Sequence, residues 1–160
     1  MRKIRNPFTG REGYNCFGCS PDNAVGLHMH FFEDGDEIVS LWEPGVHFHG
    51  YQNVLHGGIQ ATLMDEIASW VVYVKGMRSG VTSKMDVRYL KQVFVDKGSI
   101  TLRAKIKAMR RNLADIEVKL YNAENKLCAE AIITYFTFSL EKSKESFFYP
   151  EYSDFFDENM

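Results

Sequence analysis

One segment restricts the whole chain. From Gly57 to about Lys75 apolar residues fall at Ile59, Leu63, Ile67, Trp70, Val71 and Val74, the three-to-four spacing of a helix. Ala61, Met64, Ala68 and Val72 fill further faces, so this helix is apolar around much of its circumference and must be largely enclosed. Gly76 is a plausible stop. The remaining elements have to supply the enclosure.

They alternate in twos. Leu27, Met29 and Phe31 lead into a turn at Glu33-Asp34-Gly35-Asp36, and Ile38, Val39, Leu41 and Trp42 follow, which reads as a hairpin. After the helix, Val81 to Val95 carries Met85, Val87, Tyr89 and Val93. Ile100, Leu102, Ala104 and Ile106 keep strict alternation, as do Ile116, Val118 and Leu120 after a turn near Arg111-Asn112. A turn at 122–125 precedes a long last strand from Leu127 to Leu140. Strands with short connections indicate an antiparallel meander. A hairpin, one buried helix and a meander make an α+β layout, a curved antiparallel sheet around a central helix. The chain divides into an irregular arm (1–25), a domain (26–141) and an aromatic and acidic tail (142–160) that suits docking on its own domain or on a sister subunit.

The composition of the 160 residues, 45% hydrophobic and 25% charged, is that of a packed protein and excludes wholesale disorder. Nineteen basic against twenty-one acidic side chains leave no basic excess, so nucleic acid is not an expected partner. No apolar run reaches the roughly 20 residues that span a bilayer, so no membrane partner is expected either. Three cysteines and no apolar leader point to a reducing, cytoplasmic setting.

The densest chemical signal is Val54-Leu55-His56-Gly57-Gly58, continuing through the helix to Asp65-Glu66. Two glycines at a helix start let a ligand approach bare backbone, and the first amides there lack internal partners. With the helix dipole they favour an anion or a polarised carbonyl oxygen. Asp65 lies inside an apolar helix, where burying an unpaired charge costs several kcal/mol, so such a carboxylate is used or paired. Glu66 is its rival, about 100° around the helix, and periodicity does not choose between them.

These residues, together with Thr82-Ser83-Lys84-Met85-Asp86-Val87-Arg88-Tyr89-Leu90-Lys91, resemble the hotdog-fold thioesterases of the PaaI (phenylacetyl-CoA) type. The likeness runs from about Gly26 to Phe138, and Cys16-Phe17-Gly18-Cys19 with Asn23 to Leu27 is similar to the N-terminal segment of one branch. The resemblance implies hydrolysis of an acyl-CoA thioester with no cofactor beyond the CoA of the substrate. It makes Gly57 or Gly58 the amide donor to the thioester carbonyl, and Asp65 the nucleophile or general base. Where many members carry a polar residue before the His-Gly-Gly, this chain has Gly50, with Asn53 closer to the motif. A hydroxyl after the helix maps to Thr82, with Ser83 beside it. His56 is a further candidate, as a cap or a base. Two other readings stay open: a hydratase or dehydratase using His56, and a non-catalytic acyl-CoA binder.

Gly58 and Asp65 are seven residues apart, about 10 Å along a helix. A reacting carbonyl must sit within about 3 Å of both the amide and the attacking group. Two antiparallel helices across a two-fold axis solve this, so a homodimer with composite sites is expected, alone or paired into a tetramer (a dimer of dimers). Cationic candidates for the CoA phosphates are Arg88, Lys91, Arg110 and Arg111. The Cys16–Cys19 spacing is half a zinc site that His28, His30, His47 or His49 would have to complete. A lone pair carries no metal assignment, and the cysteines, Cys128 included, read as small packing residues.

Overall fold

The computed structural model describes residues 1–157; the last three residues of the tail lie outside it. The helix expected from Gly57 is α1, Gly57–Val74. Leu63, Met64, Ile67, Ala68, Trp70, Val71 and Val72 are all buried, so it is enclosed on several sides at once.

Seven antiparallel strands supply the main wall: β1 (Arg2–Ile4), β2 (Phe31–Asp34), β3 (Glu37–Trp42), β4 (Gly80–Tyr89), β5 (Ile100–Arg110), β6 (Leu113–Tyr121) and β7 (Leu127–Thr137). Their spatial order is β1-β2-β3-β5-β6-β7-β4. The helix therefore connects β3 to the far edge of the sheet, and the meander fills the gap between. Inward rows are the alternating residues read from the sequence: Leu102 opposite Leu120, Ala104 opposite Val118, Ile116 opposite Ile133. This is the α+β sheet wrapped around one central helix that the periodicity implied.

Three departures have physical causes. The run from Val81 to Val95 is not one strand. The chain leaves β4 at Tyr89, where the amides of Leu90 and Lys91 both donate to the Cys128 carbonyl. Val93 and Val95 are buried because their segment pairs with the loop before the helix: the Leu55 amide donates to the Val93 carbonyl and the Val95 amide to that of Asn53. Second, the arm contributes the edge strand β1, too short to show a period. Third, Leu27 and Met29 precede β2 but are core residues, tied to the arm by their backbone amides, which donate to the carbonyls of Phe17 and Gly18.

The tail docks on its own domain. A second helix, α2 (Leu140–Phe147), is capped by Ser139 and ends where Phe148 turns left-handed. Tyr149 donates to the Tyr73 carbonyl at 2.6 Å. Phe155 is 0% exposed and packs among Phe8, Trp70, Tyr73 and Tyr149. The Arg5 amide holds the Phe155 carbonyl at 2.8 Å, and the Arg2 guanidinium lies over the Phe156 ring. Truncating so enclosed an aromatic leaves a cavity. Phe155→Ala is expected to lower the unfolding free energy by about 3–5 kcal/mol, measured as the shift of the urea midpoint at unchanged slope.

Candidate functional site

At the start of α1 the glycine amides are not equivalent. His56 is the N-cap, and its Nδ1 accepts from the Gly58 amide at 2.8 Å. That bond places the proton of the neutral ring on Nε2 and occupies the Gly58 donor. Among the described residues the amides of Gly57 and Ile59 have no hydrogen-bond partner. The Tyr89 hydroxyl donates to the Gly57 carbonyl at 2.6 Å, and its ring lies against the face where a side chain at 57 would stand.

Asp65, two turns along, is half-buried and bound on one oxygen. Thr82 Oγ1 donates to Oδ1 at 2.8 Å and the Tyr135 hydroxyl donates to the same oxygen at 2.6 Å. Among the described residues Oδ2 has no partner. The carboxylate is thus oriented by two hydroxyls and keeps one oxygen free. Tyr135 is itself buried, and its phenol is raised well above the usual range, by burial first and by the Asp65 carboxylate next. A neutral phenol that cannot ionise is a fixed donor.

A bulge in β4 selects Thr82 over Ser83. The pairing with β7 steps from Thr82 opposite Tyr135 to Lys84 opposite Thr134, leaving Ser83 unpaired. Met85 and Val87 face the helix beside Ile133 and Ala131; by simple alternation Ser83 would share that face. The extra residue turns Thr82 inward instead. Nothing in the period of the sequence marks that step. Tyr135, missed as a site residue, has a visible signal only in hindsight: a phenol on a core row needs a partner.

The two rival carboxylates line one cavity of about 350 Å³, together with Cys16, Cys19, Tyr73, Thr82 and Tyr135. The 100° between them sends Asp65 to the sheet and Glu66 to the arm, on two sides of that cavity. Glu66 Oε1 accepts from Trp70 Nε1 at 3.2 Å and from Cys16 Sγ at 3.4 Å. Burial pushes the Glu66 carboxyl up to about 7, with the neighbouring Cys16 adding to it. The Cys16 thiol is lowered to about 5, chiefly by a hydrogen bond from Cys19, against the opposing effect of burial. Since the two are in contact, they titrate as a pair.

The other residues singled out earlier lie elsewhere. Asn53 turns left-handed in the loop before the helix, and the Gly50 amide donates to the Val54 carbonyl across that turn. Arg88 is opposite Glu130 on the face of the sheet away from α1. Arg110 holds both oxygens of Asp115 at 3.0 and 2.9 Å across the β5–β6 hairpin, and Arg111 is its left-handed turn residue. Lys91 is different: with Lys97 and Lys126 it lines a cleft of about 470 Å³ beside the segment that clamps the helix start. Among the described residues no ring nitrogen of His28, His30, His47 or His49 joins the two thiols in a ligand-sized cluster; a Glu66 carboxylate oxygen does.

A seven-stranded antiparallel sheet wrapped around one long helix is the hotdog fold. Comparison with known proteins agrees. Residues 52–129 match the profile of the thioesterase superfamily. An inferred esterase of Saccharolobus solfataricus is 25% identical over 83 residues, 51% of this chain; the chain spans about half (54%) of that curated relative. A thioesterase from Haemophilus influenzae superposes with a TM-score of 0.66 at 24% identity, covering 76% of this chain and 86% of its own. A hypothetical thioesterase from Streptococcus pneumoniae, solved with coenzyme A, gives 0.64 at 25%, covering 69% and 86%. Among the described residues no helix is long and apolar enough to cross a membrane.

One glycine is required by the site wall. A Cβ at Gly18 would stand 2.4 Å from the Glu66 Cδ. Gly18→Ala is expected to destabilise the fold by about 1–3 kcal/mol, the usual cost of overpacking, read as a fall in the thermal midpoint.

Proposed function

We propose that this chain hydrolyses acyl-CoA thioesters to the free acid and CoA, at sites completed by a second copy of itself. The observation that carries this reading is the Asp65 carboxylate, with Oδ1 bound by Thr82 and Tyr135 and Oδ2 without a partner beside the cavity. Two hydroxyl donors fix the plane of the carboxylate, so the free oxygen is held where it can attack a carbonyl carbon or take a proton from water. The thioester oxygen, gaining negative charge, requires a donor that moves little. The Gly57 amide meets that need, because His56 holds the Gly58 amide while the helix dipole adds its positive end. His56 in this scheme positions the loop and is not the base, which argues against a hydratase relying on it.

The distance along α1 still separates Gly57 from Asp65 by about 12 Å within one chain. The edge strand β4 supports the solution. It is ten residues long, paired only with β7, and exposes Val81 and Tyr89. Natural proteins rarely leave so long an edge open. Pairing it with the same strand of a second copy around a two-fold axis brings each glycine turn toward the other chain's Asp65. For the CoA phosphates, the cleft with Lys91 and Lys97 suits an anion better than Arg110, which is already committed to Asp115, as Lys126 on the same cleft is to Glu124. The Streptococcus pneumoniae neighbour that carries coenzyme A supports CoA as the carrier.

Thiol release from a panel of acyl-CoA substrates tests the chemistry. Asp65→Ala is expected to lose about 100- to 10,000-fold in kcat while still binding substrate, whereas Glu66→Ala loses far less. Equal turnover in both variants would sink the assignment. Mixing tests the composite site. Asp65→Ala and Gly57→Val chains, each inactive alone, are expected to recover about a quarter of wild-type activity on subunit exchange, since half the dimers then hold one intact site of two. Sites confined to one chain would recover nothing.

A further inference from the structure

We propose that Cys16, Cys19 and Glu66 form a binding site for a thiophilic divalent cation, zinc above all, that clasps the N-terminal arm onto α1. The inference stands apart from the proposed hydrolysis and does not require it. The three ligating atoms lie within 4.8 Å of one another, and Cys16 Sγ is 3.4 Å from Glu66 Oε1. In a tetrahedral zinc site with sulfur and oxygen ligands, ligand atoms stand about 3.5–3.8 Å apart, so small side-chain movements close the site.

The surroundings are those of a metal knuckle. Cys16-Phe17-Gly18-Cys19 makes a tight turn closed by the Ser20 amide, which donates to the Cys16 carbonyl at 3.0 Å. Gly18 has no room for a side chain because the Glu66 carboxyl lies against it, 2.4 Å from where its Cβ would be. The Tyr14 hydroxyl contacts Cys19 Sγ at 2.9 Å and is held by Asn6 at 3.0 Å, while Trp70 Nε1 orients Glu66. Cys19 and Glu66 therefore each have an outer partner.

Charge gives the same answer. Among the described residues Glu66 makes no ion pair. The guanidinium that shares the cavity, Arg11, stacks over the Phe148 ring at 3.9 Å instead. A buried carboxylate beside two thiols, without a positive neighbour, is an unfavourable arrangement for a protein alone and a favourable one around a dication. Protons compete with the metal for thiolate ligands, so zinc affinity falls as the solution is acidified. All three ligands line the cavity that holds Asp65, which leaves the fourth vertex open to water or a ligand from that side.

The test uses the full-length, reduced chain, loaded with zinc and then desalted, with metal counted by mass spectrometry and a parallel sample loaded with cobalt. Wild type and Cys128→Ser are expected to retain about one zinc per chain, and cobalt to give thiolate charge-transfer bands with the visible spectrum of a tetrahedral centre. Cys16→Ser and Cys19→Ser should retain none. Glu66→Gln, which leaves the arm's turn intact, should weaken binding at least about tenfold. Near-UV circular dichroism identifies which variants are folded. Folded, reduced wild type that retains no zinc overturns the proposal, as does zinc retained equally by folded Glu66→Gln and Cys16→Ser, or isolation of the chain with Cys16 and Cys19 joined as a disulfide. None of these readouts involves acyl-CoA turnover, so this site and the hydrolytic reading fail or stand separately.

Discussion

A helix that is apolar almost all the way round cannot rest on one surface, and the architecture follows from that. The sheet takes one broad side of α1 through the inward rows of β3, β5, β6 and β7. The arm and tail take another, stacking Phe8, Tyr149 and Phe155 against Trp70 and Tyr73. What remains uncovered is the strip bearing Gly58 and, less exposed, Ala61, Thr62 and Asp65, the residues with polar or bare backbone character. Enclosure of the apolar faces and presentation of this strip are the same event.

That strip shows how little side-chain chemistry is needed once position is fixed. Asp65 is aligned by one hydroxyl from β4 and one from β7, and both arrive there through a sheet whose register is set by core packing. The glycine turn is aligned by His56 and covered by Tyr89. Asp65 and the glycine turn are each held from outside the helix that carries them, so precision comes from rigid elements and not from loops.

The helix, its boundaries and the meander were legible because long apolar periods reflect burial directly, and Asp65 stood out as a carboxylate where none is expected. Other features left weaker traces. The choice of Thr82 over Ser83 depends on a one-residue bulge, which alternation alone assigns the wrong way. Arg110 looked like a free cation because its carboxylate, Asp115, sits across a hairpin and has no periodic signature. Glu66 as the neighbour of Cys16 and Cys19, in place of the histidines, joins residues fifty positions apart. Pairings over such distances depend on tertiary geometry, and local pattern does not encode them.

The arm and the tail hold each other: the Arg5 amide grips the carbonyl of Phe155, and Arg2 lies on Phe156. A polypeptide is made from its N-terminal side onward, and domains generally fold in that order as they emerge. Here the arm is made well before the residues it rests against. The packing of arm on tail beside Cys16, Gly18 and Cys19 therefore waits for Phe155 to be synthesised, although the central helix between them is available long before.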